Sequence, residues 1–163
     1  MENKFERELT KDVLDSNKHN SENINAEMNY DLSLLTIEVF EELEYEAAAL
    51  GIPFLIDREQ AFEKFIYGNI DVLRKSIIIL IKAVLQLVSK GEAVHIASQE
   101  NHISIKLPEK KIFFSLLLRP ETVIFNIQEL ADFRKALTCI RTSGGAVEVN
   151  AGKDEIRIML PIK

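Results

Sequence analysis

The stretch NIDVLRKSIIILIKAVLQLVSKG, Asn69 to Gly91, is where the reading of the fold is decided. Leu73, Ile77, Leu80, Val84 and Leu87 recur at alternating spacings of four and three, which places them on one seam of an α-helix. Asn69 or Asp71 can cap its start, and Gly91 supplies a stop after Lys90. Three consecutive isoleucines, Ile77 to Ile79, would also suit a strand, but the capped span far exceeds the roughly 5–6 residues of an average strand. The only polar stripe is Lys75, Lys82, Gln86 and Ser89, so the spacing predicts a central helix buried on most of its circumference. The greasy core from Ser76 to Val88 is interrupted by Lys82 and falls short of the about 20 residues that span a bilayer, so no membrane insertion is expected.

Working outward, Leu35, Val39, Leu43, Ala47 and Leu50 predict an earlier helix over 31–50, with Asp31 or Ser33 as N-cap, Gly51 as stop and Pro53 beyond. Ile52–Asp57 and Lys64–Tyr67 read as short strands. After the central helix, Ala93–Ser98 and His102–Leu107 flank Gln99-Glu100-Asn101 as a β-hairpin, and Ile112–Leu118 reads as a further strand ended by Arg119-Pro120. Glu129 to Ser143 is a helix with Leu130, Phe133, Leu137 and Ile140 on one face, stopped by Gly144-Gly145. Strands Ala146–Asn150 and Glu155–Leu160 close the chain around the turn at 151–154. Hairpins demand antiparallel pairing, so the expected fold class is α+β: a two-layer sandwich whose mixed, mainly antiparallel sheet is covered by helices on one face.

The 163 residues are 47% apolar and 28% charged, with six Gly and four Pro, as in one compact domain. Residues 1–27 hold only scattered apolar positions and read as a flexible acidic and polar arm before a domain over 28–163. Cys139 is the single cysteine and the N-terminus carries no secretory signal, so a reducing cytoplasm is the expected compartment. Of the net charge of −6, residues 1–50 carry 13 acids against 4 bases, and residues 51–163 carry 13 against 16. No concentrated basic face emerges, and nucleic acid is not an expected partner.

In order along the chain, several strings resemble one family. Asp31-Leu32-Ser33-Leu34-Leu35, the helix ending Ala48-Ala49-Leu50-Gly51-Ile52, and Tyr67-Gly68-Asn69-Ile70-Asp71 leading into Leu73-Arg74 and Leu80-Ile81 resemble the ATP-binding domain of sensor histidine kinases, of the gyrase, Hsp90, histidine kinase and MutL superfamily. Ser143-Gly144-Gly145-Ala146-Val147-Glu148-Val149 and Ile156-Arg157-Ile158-Met159-Leu160-Pro161 resemble the closing segment of that domain. The resemblance covers residues 28–163 and implies a Bergerat-type fold.

It also implies which positions would face a nucleotide, and there the sequence departs from the family. The two asparagines of the family's central helix fall on Ile79 and Ala83, neither of which offers oxygen to a hard cation. The D-x-G-x-G motif falls on Leu107, Glu109 and Lys111, so the adenine acceptor and both glycines are replaced. The segment that should present amides to phosphate falls on Leu130-Ala131-Asp132-Phe133, and Asp132 would repel it. Phe113 to Asn126 leaves little room for a lid and is expected to close the vacated cleft. These departures imply no catalytic residue, no nucleotide or other cofactor and no metal.

His95 and His102 lie on adjacent predicted strands, with only Glu100 or Glu92 as a third ligand, and are expected to face solvent rather than bind zinc. Cys139 is expected to pack near the apolar stripe of the last helix. His19, in the arm, would be a phosphoryl acceptor only with a long helical hairpin around it, which the arm is too short to supply. The helix from Asp31 to Leu50 holds six acids and no base, and Glu38, Glu41, Glu42, Glu44 and Glu46 are candidates for docking a basic protein surface. The expected function is a non-catalytic, nucleotide-free interaction module of bacterial two-component or related signalling, with a signalling kinase, a response regulator or a second copy as partner. An ATP-binding regulator or kinase fragment with an altered pocket, and a phosphotransferase-type protein, are the alternatives.

Overall fold

The computed structural model describes residues 28–57, 64–107, 112–150 and 154–162. Residues 1–27 with His19, expected to be an arm, and the positions Glu109 and Lys111 lie outside the described residues. Strand β1 (Met28–Asp31) runs straight into helix α1 (Leu32–Ala49), followed by β2 (Phe54–Asp57) and β3 (Phe65–Gly68). Helix α2 (Ile70–Leu85), the hairpin β4 (Val94–Ser98) and β5 (His102–Lys106), helix α3 (Ile112–Leu118) and a 3-10 turn at Pro120–Thr122 come next. Helix α4 (Ile127–Thr142) and the pair β6 (Ala146–Asn150) and β7 (Glu155–Met159) complete the chain.

Each long helix begins where a short polar side chain meets an orphan amide. Asp31 accepts from Leu34 N at 3.0 Å, Asn69 from Val72 N at 3.2 Å and Asn126 from Glu129 N at 3.0 Å. Five strands form one sheet in the order β2-β4-β5-β7-β6, parallel between β2 and β4 and antiparallel elsewhere. A separate antiparallel pair, β1 with β3, sets Met28 opposite Gly68.

Alternation along the strands divides the sheet into two faces. Ile96, Ile103, Ile105, Ile156 and Ile158 are buried in one cluster with Leu35, Val39 and Leu43 of α1, Leu73, Ile77, Leu80, Ile81 and Val84 of α2, and Phe133 and Ile140 of α4. The opposite rows carry Lys106, Ser104, Glu155, Arg157 and Glu148. The fold is the expected α+β arrangement, a mixed five-stranded sheet packed against helices.

Three elements differ from the sequence reading, which assigned no strand to Met28–Asp31, where β1 pairs with β3. Residues 112–118, predicted as a strand, are the helix α3. A short apolar run cannot be assigned by periodicity alone, and β5 already has β4 on one side and β7 on the other, so no edge beside it was open. Helix α2 ends at Leu85 rather than Lys90. Beyond it Leu87 N bonds Val84 O and Val88 N bonds Leu85 O in tighter turns, and Gly91 N reaches Gly51 O at 2.9 Å, tying the ends of α1 and α2 together.

The Gly144-Gly145 stop is a steric requirement. Gly144 has φ +89, and a Cβ on Gly145 would come within 2.4 Å of the Met159 carbonyl oxygen, a backbone atom that cannot swing away. Gly145→Ala should therefore cost about 1–3 kcal/mol of stability by overpacking, measured by urea unfolding, whereas Ala at Gly91, which meets nothing within 4 Å, should cost only its strained φ of +90.

Candidate functional site

The exposed edge of α2 is where the packing leaves space. Ile79, Lys82, Ala83, Gln86 and Leu87 form one wall of a cavity of about 580 Å³. Val123 to Asn126 and the first turns of α4, with Glu129, Asp132 and Phe133, form the facing wall, and Glu46 reaches it from α1. The structure thus brings together Ile79, Ala83, Asp132 and Glu46, four positions singled out from sequence. Leu107 is not among them: it is buried, and its N–H donates to Asp154 O at 2.9 Å.

Among the described residues the expected closure of this cleft is not reached. Val123 to Asn126 supply a wall instead of a plug, and both Ile79 and Ala83 remain half-buried. Leu116 of α3 turns into the core, which removes one of the apolar side chains expected to fill the space. The side chains of Phe113 and Phe114 lie outside those described.

Among the described residues, Lys82 is the one cation lining the cavity, against three carboxylates, Glu46, Glu129 and Asp132. Lys82 Nζ already stands 3.2 Å from Glu46. At the start of α4 the Asn126 side chain takes the Glu129 amide, and Glu129 adds a negative charge in the first turn. Asp132 accepts from Gln128 Nε2 at 2.9 Å. An anionic ligand entering here would meet acids where a phosphate site needs amides and cations. Sequence reading placed Phe125, within 113–126, against the cleft but missed Glu129 as a member of this site; the signal within reach was Asn126, whose capping role places Glu129 in the first turn of α4.

The acidic face of α1 divides in two. Glu38 accepts the Tyr30 hydroxyl at 2.5 Å and is held by Arg74 at 2.8 Å, with the guanidinium 5.6 Å from the Tyr30 ring centre. The hydrogen bond to Glu38 pushes the Tyr30 phenol above its ordinary pKa. Glu46 is occupied by Lys82, as above. Glu41, Glu42 and Glu44 remain exposed.

A second polar group lies on the sheet face opposite the helices. Glu155, with its side chain 6% exposed, accepts from Ser104 Oγ and from Arg157 Nε at 3.0 Å, and His102 Nε2 stands 3.7 Å away. His102 is not the solvent-facing residue expected: its side chain is 13% exposed beside Glu155, its Nε2 is buried without a hydrogen bond and its Nδ1 lies 3.0 Å from Asn101 Oδ1. His95 sits apart, 3.6 Å from Asp57. Among the described residues no group of three or more His, Cys, Asp or Glu is placed to hold a metal, and no helix is long and apolar enough to cross a membrane. Cys139 is half-buried on α4.

Two measurements follow from this geometry. Ile79→Asn should cost less than about 1 kcal/mol, since its amide can meet water in the cavity, while Ile77→Ala in the adjoining core should cost roughly 2–5 kcal/mol by denaturant unfolding. Burial pushes the His102 imidazole below its ordinary value of 6.5, with Glu155 opposing the shift in part. The unfolded chain then holds that proton at higher pH than the folded one, so stability should fall as pH drops below 6.5. Burial alone would raise Glu155, but the Ser104 and Arg157 hydrogen bonds hold it below 4.5, so its contribution is lost only in more acid solution. His102→Asn should flatten the first limb of the stability profile and change the second only slightly, since the His102 charge is the smallest of the causes that hold Glu155 low.

No protein-family model matches the sequence, and no curated protein matches it. Solved structures do. The cytoplasmic segment of histidine kinase QseC aligns over 96% of this chain and 95% of its own at 12% identity, with a TM-score of 0.59. The nucleotide-free catalytic domain of histidine kinase ThkA aligns over 83% and 95% at 13% identity, TM-score 0.56. A mycobacterial sensor histidine kinase, MprB, aligns over 85% and 99% at 15% identity, TM-score 0.53. At these identities it is the backbone arrangement that is shared, and this chain has the histidine-kinase-type ATPase fold.

Proposed function

We propose that this chain is a non-catalytic, nucleotide-free interaction module of two-component or related bacterial signalling, docking a kinase, a response regulator or a second copy of itself. In this reading the domain is residues 28–163 and the preceding 27 residues are an arm. The observation that carries it is the charge of the α2–α4 cavity. Where the resemblance implies a nucleotide, one lysine already paired with Glu46 faces Glu46, Glu129 and Asp132, and Ile79 and Ala83 provide no ligand for Mg²⁺. The exposed Glu41, Glu42 and Glu44 on α1 support a basic docking partner through steering of its approach.

The cavity volume of about 580 Å³ favours a second reading, an ATP-binding regulator with an altered pocket. Thermal unfolding separates the two. A ligand bound only to the folded state adds about 2.7 kcal/mol at 100 times its dissociation constant. The melting temperature should be unmoved by millimolar Mg²⁺-ATP; a saturable rise would establish the altered-pocket reading in its place.

A further inference from the structure

Resting on the interaction-module reading, we propose that the α2–α4 cavity seats a lysine- or arginine-bearing apolar segment of a partner protein. The chemistry of the walls matches one kind of side chain. Ile79, Ala83 and Leu87 offer an apolar bed, and Glu129 and Asp132 add carboxylates. A long basic side chain has the complementary profile, an aliphatic stem with a charged head.

The surroundings extend the match beyond one residue. Phe125, which lines the cavity, and Ile127, just past the Asn126 cap, are each 86% exposed. Two large apolar side chains this exposed beside a cavity mark a surface that binds something. A small organic cation inside the cavity would leave them in water, whereas a segment of chain carries apolar neighbours at helical spacing that cover both. Glu41, Glu42 and Glu44 on α1 add exposed acid that raises the encounter rate of a basic segment.

The test uses the full chain and a fluorescein-labelled peptide of roughly 18 residues, about five helical turns of leucine on one face and lysine on the other, beside a counterpart with glutamate for lysine. The lysine peptide should bind saturably by anisotropy and the glutamate peptide should not. Glu129→Gln with Asp132→Asn should weaken binding by about tenfold or more through faster dissociation, and Ala83→Phe, which fills the bed, should weaken it as well. Glu41→Gln, Glu42→Gln and Glu44→Gln together should slow association and leave dissociation unchanged. Because a variant that unfolds would mimic a loss, melting temperatures accompany each. The unmodified protein supplies an independent reading: the methyl resonances of Ile79 and Leu87 should shift on titration while those of Ile156 and Ile158 stay. Unshifted Ile79 and Leu87 methyls, or equal binding by the Glu129/Asp132 variant, would overturn the proposal. So would octylammonium binding as tightly as the peptide, which would make this a small-cation site, or a dimer by sedimentation that excludes the peptide, which would make the occupant a second copy. A failure of the interaction-module reading itself is seen separately, as a rise in melting temperature with ATP.

Discussion

The burial of α2 is the constraint on which the other features depend. Leu73, Ile77, Leu80, Ile81 and Val84 are without solvent exposure, and a helix with that many buried positions must be enclosed by several elements at once. At about 1.5–3 kcal/mol for each fully buried aliphatic side chain, these contacts outweigh any preference of the β-branched isoleucines for a strand. Helices α1 and α4 and the inner face of the sheet provide the enclosure. Part of the edge left outside the core, Ile79, Lys82 and Ala83 with Gln86 just beyond the helix, lines the cavity.

Charge then sets how α1 lies against α2. Glu38 meets Arg74, and about two turns further along both helices Glu46 meets Lys82, so the two helices run in the same direction in matched register. Partly exposed pairs of this kind contribute at most about 1 kcal/mol each, so their effect is on orientation more than on stability. They have a second consequence for function. By absorbing Glu38 and Glu46 they reduce the acidic face to Glu41, Glu42 and Glu44, and they leave Glu129 and Asp132 as the carboxylates of the cavity not matched to its lysine.

The outer face of the sheet shows how a buried charge is accommodated where, among the described residues, no helix of the core cluster packs. Glu155 is buried, and the hydroxyl of Ser104 and the guanidinium of Arg157 satisfy its oxygens. His102 stands 3.7 Å from the carboxylate. A period of two in the sequence identifies this face as polar, but whether a polar residue there is wet or buried depends on what its cross-strand neighbours reach.

From the sequence alone, the helical spacings of Leu35 to Ala47 and of Leu73 to Leu87, the caps Asp31 and Asn69, the Gly144-Gly145 stop and the hairpins at 99–101 and 151–154 determine the three long helices, most of the strands between them and the α+β class. These signals are local, carried by residues within a few turns of one another. Those positions also establish that Ile79 and Ala83 cannot coordinate a cation, since side-chain chemistry does not depend on the fold. Only the tertiary structure decides that residues 112–118 are a helix, because the available sheet edges are set by strands distant in sequence. It alone decides that the described residues leave a cavity beside α2, that Leu107 is buried and not among its lining and that Glu129 faces it, because a cavity is what remains when separate elements have packed. The pairing of Glu38 with Arg74, residues 36 apart, belongs to the same class: its partner is brought near by helix packing, which no spacing within either helix encodes.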